Sequence, residues 1–165
     1  MTIQQFDFVN VEDTAKALGC NIPTGIAVLP RNFETAESKS ELLHESNTPT
    51  IRVLFRNNGI SETPLECEGE KFLQISEKAF EAWIAPTIFV SCALFSQNPH
   101  IVSVALGVIS NYLTDWFRGI PGKRNANLDI VVETKKKSYK RIHYEGPVSG
   151  LEELTQVVHE VFSNE

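Results

Sequence analysis

The 165-residue chain predicts an α+β domain, and three features of its sequence carry that expectation. Strand-like runs flank a polar segment in the first sixty residues, a long apolar zone fills the middle, and a strand pair followed by an amphipathic helix closes the chain. The expected architecture is a sheet of about four strands, an N-terminal β-α-β unit plus a C-terminal β-hairpin. An apolar helical hairpin and the C-terminal helix pack on one of its faces. With 42% hydrophobic and 22% charged residues the chain is long enough for one core, so residues 1–165 are read as a single domain.

The elements follow in chain order. Val11 to Leu18 reads as a short helix closed by Gly19, which tolerates the left-handed conformation after a helix. "GIAVLPRNF", Gly25 to Phe33, reads as a strand, and Pro30, unable to donate to a ladder, makes it short or places it at an edge. Ala36 to Glu45 is polar around Leu42 and Leu43 and is expected to be a surface helix. "TIRVLFR", Thr50 to Arg56, alternates as a strand and ends at Asn57-Asn58-Gly59. Strand, helix and strand within this span predict a right-handed crossover between parallel strands.

Ser76 is positioned to cap a helix starting at Glu77, which Pro86 then kinks or breaks by removing one backbone hydrogen bond. A second apolar helix runs from Pro99 to Phe117 and stops at Gly119. Leu128 to Thr134 and Tyr139 to Tyr144 form the hairpin. Ser149 and Glu152 match a capping box, and Leu151, Leu154, Val158, Val161 and Phe162 follow at helical spacing. Ala82 to Phe95 and Ile101 to Phe117 both fall short of the roughly 20 apolar residues that span a bilayer. A core hairpin is the expected outcome, and a membrane-associated module using residues 82–117 is the weaker one. Ile101 to Leu113 is apolar on nearly every side, and such a helix is expected to be buried on every side, by self-association if necessary.

The net charge of −6 argues against a general binder of polyanions, whose affinity requires clustered Lys and Arg. The charge is uneven, however. Lys123, Arg124, Lys135, Lys136, Lys137, Lys140 and Arg141 face only Asp129 and Glu133 within residues 123–141, a local +5. The other eight basic and nineteen acidic residues leave −11 elsewhere. A basic hairpin of this kind fits an acidic partner or the acidic surface of a second copy. Cys20, Cys67 and Cys92 are odd in number and distant in sequence, which supports neither a disulfide framework nor a zinc cage. With no export signal in "MTIQQFDFVN", a cytoplasmic location is expected.

"LDIVVETKK", Leu128 to Lys136, carries the one hint of metal chemistry. An acid, a glutamate, a spacer and a lysine on an apolar strand resemble the core of metal-dependent nucleases, where carboxylates hold the ion and a lysine positions water. Alternation puts Asp129, Val131, Glu133 and Lys135 on one face. Asp129 and Glu133 nevertheless lie roughly 13 Å apart along a strand, too far to share an ion. Asp115 is the nearest other acid, so the nuclease alternative rests on Glu133, Lys135 and Asp115. His143 and Glu145, two apart in "IHYEG", form a possible acid–base couple, while His44, His100 and His159 fit no metal-ligand spacing. Cys67 lies between Glu66 and Glu68, which disfavours a nucleophilic thiolate. No glycine-rich phosphate loop is present, and no metal or cofactor is expected.

A surface remains. Trp83, Tyr112, Trp116 and Phe117 are the large aromatics at the expected helix ends, a residue class common at interfaces. Read together, "SNYLTDWFRG", "LDIVVETKKKSYKRIHYEG" and "SGLEELTQVVHEVF" resemble small adaptor modules associated with effectors of bacterial conflict and signalling systems, in which an apolar helix with an aromatic and basic tail precedes a hairpin and a closing helix. The resemblance covers the C-terminal third of the chain and concerns pattern. It implies association with a protein partner or with self, and no catalytic residues. The expected function is therefore a non-catalytic interaction or adaptor protein that binds through Trp116, Phe117, Lys135, Lys136, Lys137, Lys140 and Arg141.

Overall fold

A computed structural model describes residues 1–75, 82–118 and 125–164. The expected cap at Ser76, the stop at Gly119 and the basic pair Lys123 and Arg124 lie outside these residues. The fold is α+β, and its main sheet has six strands among the described residues. They are β1 (Thr2–Asp7), β2 (Ile26–Leu29), β5 (Ala82–Ile84), β6 (Thr87–Val90), β7 (Asn125–Glu133) and β8 (Tyr139–Pro147), with a separate parallel pair β3 (Leu43–His44) and β4 (Leu73–Gln74). The helices are α1 (Val11–Leu18), α2 (Thr48–Asn57), α3 (Cys92–Gln97), α4 (Ile101–Trp116) and α5 (Leu151–Asn164). The order across the sheet is β1-β8-β7-β6-β2, with β5 also on β7. β6 and β5 run parallel to β7, and the remaining pairings are antiparallel.

Several local expectations hold. α1 ends at Gly19, whose φ of 74° lets its N–H reach back to the carbonyls of Ala15 and Lys16. β2 is four residues long, lies at the sheet's edge and stops before Pro30. The C-terminal hairpin and α5 form as expected, although a 3₁₀ turn at Val148–Gly150 leads into α5.

Three elements differ. Thr50 to Arg56 is helical, within α2, so the N-terminal β-α-β unit does not form. Its alternation of Ile51, Val53 and Phe55 mimics a strand, yet Pro49 favours a helical first turn, and Ile51 and Phe55 one turn apart both reach the core while Val53 faces water. Residues 36–45 hold only one 3₁₀ turn at Lys39–Glu41 and then β3. Here side chains take over the backbone groups a helix would need. Asn32 accepts from the Leu43 N–H and donates to the Glu41 carbonyl, and the Glu41 carboxylate accepts from the Glu37 N–H.

The third difference is the first arm of the helical hairpin, which is β5, β6 and the short α3. Pro86 interrupts a strand. A strand covered on both faces reads as a continuous apolar run and has no period that distinguishes it from a buried helix. Residues 82–117 are therefore no helical pair, and no described helix is long and apolar enough to cross a membrane. α4 is buried along Ile101, Val102, Ala105, Leu106, Ile109 and Leu113, but Val104 on its far side is exposed. One-sided packing suffices, and α4 needs no second copy to cover it all round.

Both faces of the sheet are covered. Leu128, Ile130, Val132, Ile142 and Tyr144 pack with Ile88 and Val90 against α2, α4 and α5. On the other face Val131, Tyr139, Phe89 and Leu29 meet Val11, Ala15 and Leu18 of α1, with Phe33, Leu42 and Leu65 from the intervening loops. The turn into α5 closes on Tyr144, which is fully buried and donates its hydroxyl to the Pro147 carbonyl. A Cβ at Gly150 would collide with that hydroxyl and lie 2.9 Å from the Met1 sulfur. Gly150→Ala is expected to cost about 2 kcal/mol through this overpacking, read as a lowered midpoint in urea denaturation.

Candidate functional site

β7 and β8 carry Asp129, Glu133, His143 and Glu145 of the residues that the sequence singles out for chemistry. Their register is set by a tight connection, in which the Thr134 N–H donates to the Ser138 carbonyl and the Thr134 and Ser138 hydroxyls bond each other. That register places Asp129 opposite His143 and Asn127 opposite Glu145. The His143 Nδ1 lies 2.6 Å from Asp129 Oδ1, and its Nε2 lies 3.7 Å from Glu145 Oε2. The imidazole is thus oriented between two carboxylates at a half-buried position. Chemically this group can hold or relay a proton, and when protonated it is paired on both sides. His143 and Glu145, which the sequence offers only as a possible couple, do lie side by side, and Asp129 is the closer partner.

Glu133 has a different role from the one the nuclease alternative assigns. Its Oε1 accepts from the backbone N–H of Cys92 at 2.9 Å, and its Oε2 accepts from the Tyr139 hydroxyl at 3.0 Å. One carboxylate therefore supports the first turn of α3 and ties β7 to the first residue of β8. Burial, and then the adjacent Glu133 charge, push the Tyr139 phenol far above its ordinary value. Lys135 does not share this position. The strand ends at Glu133, alternation ends with it, and the Lys135 ammonium lies 5.9 Å above the Phe162 ring of α5. Asp115 is exposed at the end of α4 and pairs with Arg118 at 3.1 Å. Glu133, Lys135 and Asp115 thus have three separate sets of partners, and no cluster of three or more metal-ligating side chains occurs among the described residues.

The expected interface residues separate in the same way. Phe117 is fully buried, and Trp116 packs edge-on against it, so the aromatic end of α4 belongs to the core. Lys140 reaches Asp7 at 2.5 Å. Arg141 approaches Glu34 at 3.5 Å and stacks on the Phe6 ring at 4.7 Å. Both basic side chains join β8 to neighbouring segments. What projects from the body is the turn itself, where Lys135, Lys136 and Lys137 are exposed. Among the described residues no carboxylate lies within ion-pair distance of these three. Lys137 has a φ of 65°, a left-handed backbone.

The other histidines are placed structurally. His44 is buried beside the Phe72 ring, with its Nε2 3.5 Å from Glu66 Oε1. His159 packs edge-on to Phe95, and His100 precedes α4 in an exposed position. A concavity of about 400 Å³ lies between α4 and α5, around Gly107, Ser110 and Thr155. Sequence reasoning missed it because it depends on how two helices cross. Comparisons with protein-family models, with curated proteins and with solved structures found no match.

Proposed function

We propose that the chain is a non-catalytic interaction protein that docks an acidic protein surface through the lysine tip of the β7–β8 hairpin. The observation that carries this reading is Lys137. In a three-residue connection the left-handed position favours glycine, and an L side chain there costs about 1 kcal/mol. The chain keeps a lysine at that position, beside two more exposed lysines, on the most regular hairpin of the fold. A conformational cost retained at an exposed tip points to use of the side chain. The carboxylate of Glu133, by contrast, is committed to internal hydrogen bonds. The setting in a bacterial defence or signalling system is supported only by the pattern resemblance of the C-terminal segment.

The test uses a labelled polyglutamate peptide followed by fluorescence anisotropy. Wild-type protein is expected to bind at low salt and to release with added salt, as contacts between solvent-exposed charges require. The variant Lys135→Gln/Lys136→Gln/Lys137→Gly should bind at least about tenfold more weakly while melting no lower, since glycine relieves the backbone cost at position 137. Wild-type protein that ignores polyglutamate, or a variant that binds as well, removes this reading. Sedimentation at low salt shows whether a second copy of the acidic body is itself the partner.

A further inference from the structure

Cys20 and Cys67 are 47 residues apart in sequence and neighbours in the fold. Asn21 is the link between their segments: its backbone N–H donates to the Leu65 carbonyl, and its side-chain amide donates to the carbonyls of Pro64 and Glu66. The Cys67 thiol lies 3.8 Å from the Gly19 carbonyl oxygen and 3.6 Å from the Asn21 side-chain oxygen. Its sulfur therefore touches the residues on both sides of Cys20. Lys39 approaches the same place, donating to the Gly19 carbonyl at 3.2 Å and pairing with Glu70 at 2.7 Å. Glu70 in turn accepts from the Cys67 backbone N–H. Cys20 is buried under α1, whereas Cys67 is half-exposed.

We propose that Cys20 and Cys67 form an intramolecular disulfide by exchange with a small disulfide such as oxidised glutathione, locking α1 to the 64–70 segment. The half-exposed Cys67 thiolate attacks one sulfur of the small disulfide, forming a mixed disulfide and releasing one thiolate. Cys20 then attacks the Cys67 sulfur and releases the second. Two protein thiols are oxidised, one small disulfide is reduced to two thiols, and the protein protons pass to the released thiolates. The Lys39 ammonium, held at the Gly19 carbonyl that the Cys67 thiol also meets, acts in favour of the thiolate at each step. Hydrogen bonding to Glu70 and burial hold the Cys67 thiol above its ordinary value, and burial does the same at Cys20. The exchange should accordingly be slow at neutral pH and faster at alkaline pH. The third cysteine, Cys92, lies in the other core and is not used.

The test is incubation of the folded protein with oxidised glutathione, followed by intact mass and non-reducing peptide mapping. The expected product is monomeric, lacks two hydrogens and contains a Cys20–Cys67 cross-linked peptide. Cys92→Ser should give the same product. Cys20→Ser should stop at one glutathione on Cys67, which shows that the first attack does not need its partner. A stable glutathione adduct on Cys67 of the wild-type protein, a covalent dimer, a link involving Cys92, or no reaction at alkaline pH would each overturn the proposal.

Discussion

Glu133→Ala should destabilise the protein by about 4 kcal/mol, one of the two largest effects expected of any single change described here. Two donors lose a charged acceptor at once: the backbone N–H of Cys92 and the hydroxyl of Tyr139, both on buried residues. Hydrogen bonds to charged groups are worth about 1.5–3 kcal/mol each, and both donors belong to residues less than a tenth exposed. The measurement is the midpoint of urea unfolding, supplemented by near-ultraviolet circular dichroism around Tyr139. This outcome also separates the structural role from the nuclease alternative. A catalytic Glu133 would be replaceable with little loss of stability and complete loss of metal-dependent cleavage. Glu133→Ala at wild-type stability would mean that the carboxylate is not the internal tie described above.

Arg52→Met is expected to cost about as much, for an electrostatic reason. Arg52, on α2, bonds Glu66 through both terminal nitrogens at 2.6 and 2.9 Å and meets Glu62 through Nε at 3.1 Å. Glu62 also accepts from the backbone N–H of Val28, so one guanidinium connects α2, the 60–66 loop and the edge strand β2. The two carboxylates have only 13% and 11% side-chain exposure. Removing the cation takes the guanidinium from two like charges of low exposure and leaves Glu66 with the His44 ring as its neighbour, a loss of about 3–5 kcal/mol. Adding Glu62→Gln and Glu66→Gln to Arg52→Met should recover much of it, because no buried charge then remains. If the triple variant is no more stable than Arg52→Met, lost packing and not charge is responsible.

The same network sets the acid response. Burial pushes the Glu66 carboxyl up, but the neighbouring His44 ring and the Arg52 guanidinium outweigh it and hold the group at about 2, below its ordinary 4.5. A carboxyl whose pKa is depressed in the folded state adds stability that is fully present above the unfolded value. That stability is lost as pH falls from 4.5 through about 2, because the unfolded chain takes up the proton first. Urea midpoints measured from pH 5 downward should therefore fall more steeply for wild-type protein than for Glu66→Gln, and parallel slopes would contradict the assignment.

How much of this was legible depended on whether a local pattern had one meaning. α5 was readable because Leu151, Leu154, Val158 and Val161 repeat at helical spacing, and the opposite side is polar. The hairpin was readable because Leu128, Ile130 and Val132 alternate around a short lysine turn. α2 and the strand pair β5 and β6 were not. Ile51, Val53 and Phe55 alternate like a strand while Ile51 and Phe55 also lie one turn apart, and only the packing of both on α4 and its neighbours selects the helix. β1 left no signal, since an edge strand exposed along most of its length needs no apolar alternation.

The site divides the same way. Sequence alone determined the α+β class, the C-terminal helix, the two faces of β7 and the concentration of positive charge near the hairpin. It did so because these follow from spacing within a few residues of chain. Tertiary structure alone decided which charges, among the described residues, gain an ion partner, because that depends on how the elements pack. Asp129 meets His143 through strand register, Glu133 turns inward to Cys92, Arg52 gathers Glu62 and Glu66, and Cys67 comes to rest beside Cys20. Apart from the hairpin pair, these contacts are fixed by how separate elements pack, which no local period encodes. They leave Lys135, Lys136 and Lys137 exposed at the tip.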